Sequence, residues 1–178
     1  MTGRSMALTL VALVATAAGT RPARGQEAGA SGQAAGCAAD AYRGFDFWLG
    51  EWEVRTPSGQ VAGHNRITSV LSGCVIKEEW TGSRGSIGTS YNIWDAATGR
   101  WHQTWVDDQG TLLLLDGGLD GGKMVLRGER PGPNGGVVRH RVAWEPLEGG
   151  RVRQLWESSS DGGSTWKTVF DGTYHRIP

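Results

Sequence analysis

The chain is expected to fold as a single closed antiparallel β-barrel of about ten strands, all-β except for one short helical turn at its start. Three observations predict this. Nine tryptophans and 29 glycines stand in 178 residues, and the two residue types interleave along the chain. Short alternating runs rich in Val, Ile, Thr and Trp recur between Gly, Asp, Ser and Asn turns, the pattern of strands joined by hairpins. No segment after Trp52 sustains a helical period.

The first element is the stretch 45–54, in which Phe45, Trp48 and Trp52 are spaced three and four apart, as on one face of a helical turn. Gly50 breaks that turn, and Trp52 and Val54 begin an alternating strand. Strands are then expected over 52–56, 64–71, 74–81, 88–95 and 101–107. Further strands are expected over 111–116, 123–129, 137–145, 151–158 and 166–176. Their boundaries follow turn signals such as Pro57-Ser58-Gly59, Ser72-Gly73, Thr98-Gly99 and Asp108-Gln109-Gly110. Residues 159–166 match the Asp-box pattern Ser-x-Asp-x-Gly-x-Thr-Trp. There Asp161 is expected to cap loop amides, and Trp166 to pack beneath the hairpin. One copy in so short a chain makes a hairpin, not a propeller or glycosidase chemistry.

Before the barrel, residues 1–25 read as a secretory signal peptide. Arg4 supplies the charged start, an uncharged apolar run follows over 6–18, and small residues offer cleavage sites. The run is shorter than the about 20 residues that a membrane-spanning helix needs. Residues 26–38 are a Gly/Ala/Ser/Gln spacer with little to bury, and 39–178 form one domain. With 18 basic and 18 acidic residues and no basic block, the chain shows no electrostatic footprint for nucleic acid or an anionic membrane. A mature protein that is secreted or periplasmic, without stable membrane insertion, follows. Cys37 and Cys74 are expected to form a disulfide in that compartment. A lipidated Cys37 is the alternative.

Strand alternation sorts side chains by face. Asn65, Ile67, Ser69 and Leu71 share a face, as do Ile76, Glu78 and Trp80, and Ser90, Asn92 and Trp94. Trp101, Gln103 and Trp105 form another set, then Gln154 and Trp156, then Trp166, Phe170 and Tyr174. Each mixes large rings with an amide or an acid, as in a ligand cavity with apolar walls and a few fixed polar groups. The expected ligand-contacting residues are Asn65, Glu78, Trp80, Asn92, Trp94, Trp101, Gln103, Trp105, Gln154 and Trp156. A closed hydrogen-bond network plugging a filled barrel is the competing expectation.

Four motif stretches together resemble a family of small exported bacterial proteins. They are Phe-Asp-Phe-Trp-Leu-Gly-Glu-Trp-Glu (45–53), Gly-Cys-Val-Ile-Lys-Glu-Glu-Trp (73–80), Trp-His-Gln-Thr-Trp-Val-Asp (101–107) and Val-Arg-Gln-Leu-Trp-Glu-Ser-Ser (152–159). The resemblance covers about residues 37 to 176 and implies a calycin-like barrel, distantly similar to lipocalins, fatty-acid-binding proteins and nitrobindin; it implies no activity. Likeness to lipocalins further implies that Trp52 closes the barrel base beneath a stacked Arg176. Likeness to nitrobindin raises haem as an alternative cofactor, with His140 or His175 as the candidate ligand. No other cofactor is expected, and the four histidines show no metal-ligand spacing.

Three functions are carried forward. The first is an exported barrel binding a small, partly apolar molecule among these tryptophans. The second is a cofactor-free isomerase, cyclase or hydratase with Glu78 as acid–base. The third is a filled structural barrel.

Overall fold

In a computed structural model, residues 36–132 and 135–177 are described. The expected signal peptide, and the spacer up to residue 35, lie outside them. Ten strands follow one another as an antiparallel meander. These are β1 (Gly50–Arg55), β2 (Val61–Val70), β3 (Val75–Gly82), β4 (Ile87–Asp95) and β5 (Arg100–Asp107), then β6 (Leu112–Asp120), β7 (Lys123–Pro131), β8 (Val137–Leu147), β9 (Arg151–Ser159) and β10 (Lys167–Arg176). β10 pairs back onto β1, with Trp52 opposite Arg176 and Val54 opposite Tyr174, which closes the barrel. The expected fold class is the observed one, and among the described residues no helix is long and apolar enough to cross a membrane.

The expected helical turn is two short 3₁₀ turns, Asp40–Arg43 and Asp46–Trp48. They end after one turn each, and they cover one end of the barrel. Phe45 stacks on Trp48 with centroids 4.9 Å apart and meets Trp144 and Trp101 edge-on at 5.1 and 5.7 Å. Trp52 donates its indole N–H to the Trp48 carbonyl at 2.9 Å. Phe45, Trp48, Trp52, Trp101 and Trp144 are all buried, and each such ring contributes about 2–3 kcal/mol by leaving water. The Arg176 guanidinium lies 4.4 Å from the centre of the Trp52 ring and donates to the Leu49 carbonyl at 3.0 Å. Gly50, at φ 145°, makes this possible, because a Cβ there would occupy the place of the guanidinium.

A disulfide between Cys37 and Cys74 ties this cap to the start of β3. It docks beside the β2–β3 connection, where Leu71, Ser72 and Gly73 all take positive φ, a conformation that side-chain-bearing residues rarely adopt. Arg43 donates to the Gly73 carbonyl from the cap.

Two face assignments differ from expectation. Leu71 is exposed rather than inward with Asn65 and Ile67, because the chain leaves the sheet into the positive-φ turn, whereas Ser69 keeps the inward register opposite Ile76 and is exposed near the end of its strand. Trp166 does not share the inward face of Phe170 and Tyr174. The register of β10 on β9 shifts between Thr168 and Phe170, and this one-residue bulge reverses the facing of everything before it. Trp166 instead lies under Arg141, 4.1 Å from the guanidinium to the ring centre.

Candidate functional site: a two-tier cavity at the open end

Opposite the capped end the barrel is open, with a cavity of about 1110 Å³ reaching inward from the β1–β2 and β3–β4 hairpins and the start of β10. Its upper tier is aromatic: Trp80 on β3, Trp105 on β5, Trp156 on β9 and Phe170 on β10. Trp80 and Phe170 meet edge-on at 5.9 Å. The rings lie over neighbouring backbone because glycine stands beneath them. A Cβ at Gly63 would come within 2.8 Å of the Trp80 ring, and one at Gly88 closer still to the Trp105 ring.

The lower tier is polar and bonded across six strands. Asn65 on β2 donates to Glu78 Oε1 at 2.7 Å and to the Tyr174 hydroxyl at 3.1 Å. Ser90 on β4 donates to Glu78 Oε2 at 2.6 Å. Asn92 donates to Ser90 Oγ at 2.9 Å and to the Ile76 carbonyl at 3.1 Å. Gln103 on β5 donates to Asn92 Oδ1 at 2.8 Å, and Tyr174 donates to Gln154 Oε1. Gln103 thus commits its amide nitrogen and Gln154 its carbonyl, and their opposite amide ends carry no hydrogen bond among the described residues. Asn65 Oδ1 is buried without a hydrogen-bond partner among the described residues.

At the centre of this tier sits Glu78, 4 % exposed. Burial pushes its carboxyl up to about 7, against the opposing pull of the bonds from Ser90 and Asn65. Among the described residues no basic group offsets the desolvation. Tyr174 is driven well above its usual range, first by burial and then by the neighbouring Glu78.

Of the residues expected to contact ligand, Glu78, Trp80, Gln103, Trp105, Gln154 and Trp156 line the cavity. Asn65 and Asn92 stand behind it as members of the polar tier. Trp101 does not reach it: the ring is spent in the capped end, edge-on to Phe45. Trp94, also toward that end, packs against the core and is not part of the cavity wall. Both lie past the polar tier along strands that run the full barrel height, so a shared face does not mean a shared depth. Phe170, Tyr174, Leu113, Val142 and Arg84 are among the further lining residues that were not expected there. Phe170 and Tyr174 had a signal, their inward alternation on the last strand; Arg84, in a hairpin, had none.

Neither His140 nor His175 is placed as a haem ligand in the cavity would need to be. The Trp156 indole donates to His140 Nδ1 at 3.0 Å, so the neutral ring carries its proton on Nε2 and has no lone pair left for iron. Burial, aided by Arg130, lowers the His140 pKa and favours that neutral form. His175 is on the outward side of β10, between inward Tyr174 and Arg176 over Trp52. Among the described residues no three His, Cys, Asp or Glu side chains converge as a metal site would require.

The Asp-box hairpin is separate from the cavity floor. Asp161 accepts from the Thr165 amide at 2.9 Å and hydroxyl at 2.6 Å, and from Ser159 Oγ at 2.7 Å. These bonds hold its carboxyl far below the usual carboxylate range. Trp166 donates to the Gly163 carbonyl at 3.0 Å. Comparison with protein-family models and with curated proteins finds no match to this chain.

Proposed function

We propose that this protein is an exported, calycin-like barrel that binds a small, partly apolar molecule in the cavity at its open end. The observation that carries this is the cavity itself, about 1110 Å³, with an aromatic wall above a fixed polar floor. Ligand sites have this composition, apolar surface for affinity and a few placed polar groups for orientation. A filled barrel would carry side chains through this space. The Cys37–Cys74 disulfide suits an oxidising compartment such as the periplasm or the exterior.

Three of the nine tryptophans line the cavity, so the protein reports its own occupancy. Titration with lipophilic metabolites is expected to give a saturable change in tryptophan emission, weakened about tenfold or more in Trp105→Leu, which removes an aromatic wall. A wild-type response that never saturates, with thermal stability unmoved by every compound, would refute binding.

One observation favours a second reading. A carboxyl near pKa 7 at a cavity floor is poised both to accept and to donate a proton. In a cofactor-free isomerase, cyclase or hydratase, Glu78 would be that acid–base. Glu78→Gln would then abolish turnover while ligand is still bound.

A further inference from the structure

The charge inventory of the cavity narrows the ligand class. Of the residues lining it, Arg84 is the one base, and it is exposed on the β3–β4 hairpin at the mouth. Asp171, also at the mouth, is held by Arg153 through bonds of 2.9 and 2.7 Å. The floor therefore offers a single carboxyl, Glu78, and among the described residues no cation lies near it. Two of its lone-pair positions take bonds from Asn65 and Ser90, and a carboxylate has about four. A glutamine here could accept from Asn65 and bond Ser90 without the cost of a buried acid, so the position is informative for its charge. Directly above stand Trp80, Trp105, Trp156 and Phe170, whose ring faces attract cations.

Resting on the binding function proposed above, we infer that the ligand carries an organic ammonium group. Its head seats against the Glu78 carboxylate, and the rings of Trp80, Trp105, Trp156 and Phe170 enclose it. An anionic head would meet Glu78 with no cation at that depth to receive it. A neutral head would leave the acid without a counter-charge. An ammonium supplies the missing charge where the local dielectric is low and a charge-assisted bond is strong. Its apolar remainder then lies along the aromatic tier.

The test compares phenethylamine, phenethyl alcohol and hydrocinnamate, which share a ring and differ in the charge of the head, by calorimetry and tryptophan emission. At about pH 8 the amine is protonated and Glu78 ionised. The amine should bind about tenfold or more tightly than the alcohol, the size of one hydrogen bond to a charged group. Below neutrality, amine binding should release about one proton, visible as a dependence of the apparent heat on buffer ionisation, and should weaken as pH falls because Glu78 must ionise first. The other titratable groups facing this space are Tyr174, whose phenol burial holds well above its usual range, and Arg84 and Asp171 at the mouth. Glu78→Gln should erase the preference for amine over alcohol. Should that variant fail to fold, the wild-type order of the three compounds and the proton release still decide. Equal or tighter binding of the alcohol or the acid overturns the ammonium assignment and leaves the pocket standing. Silence from all three overturns the assignment, and silence extending to the lipophilic panel overturns the binding function as well.

Discussion

Glu78 is the residue whose chemistry the barrel has changed most usefully. Its carboxyl titrates near 7 in the fold against 4.5 for the free group. Between those values the native state holds a proton that the unfolded chain has released. Stability therefore falls as pH rises through that window, by about 3 kcal/mol, with the full benefit present below it and none above it. Glu78→Gln has no such proton to lose. Urea unfolding at steps across that window is expected to show the wild type losing stability relative to the variant, and a parallel pair of curves would show that the carboxyl is not desolvated. The same residue shows what a sequence can say. Alternation placed Glu78 beside Trp80 on an inward face, but its pKa depends first on burial and then on the opposing bonds from Ser90 and Asn65 on other strands, neither of which alternation encodes.

Two elements have local jobs that their sequences announce. In the β9–β10 hairpin, Asp161 collects the Thr165 and Ser159 bonds, and Asp161→Ala is expected to raise amide exchange over 161–165 while leaving the cavity intact. Protection unchanged at Thr165 would show that the turn is held by its glycines alone. The N-terminal cap is held by the Cys37–Cys74 bridge across a separation of 37 residues. Reducing it should lower stability by about 4 kcal/mol in the chain-entropy model. The tryptophans lining the open end should still respond to ligand, because cap and cavity occupy opposite ends. Trp166 shows where element-level reasoning stops. Its spacing to Phe170 and Tyr174 implies one face, and a single extra residue at the bulge sends the ring outside to Arg141.

At the scale of the molecule, the barrel is divided along its axis into an apolar closed end, a polar middle and an aromatic open end. The division sets which substitutions the fold tolerates. Ser90, fully buried and bonded to Glu78, Asn92 and Gln103, is a poor place to ask whether the interior is vacant, since any larger side chain breaks the network. Val142 faces the cavity. Val142→Phe should therefore cost less than about 1 kcal/mol, against 1–3 for overpacking a filled core, while displacing ligand. Thermal unfolding with and without ligand reads both effects, and a large loss of stability would mean that the space collapses in solution.

The sequence by itself determined the all-β class, the ten strands, the Cys37–Cys74 pairing and most inward faces. Each of these follows from local periodicity, turn chemistry or a count of residues. Only the tertiary structure decided depth. Trp101 and Trp105 alternate onto one face of one strand, yet one seals the capped end and the other walls the cavity. What separates them is the cap of Phe45 and Trp48 packed against the first and the empty volume beside the second. A two-residue period carries the side of the sheet on which a ring stands, and it carries nothing about the position along the barrel axis, which is set by neighbours far away in the chain.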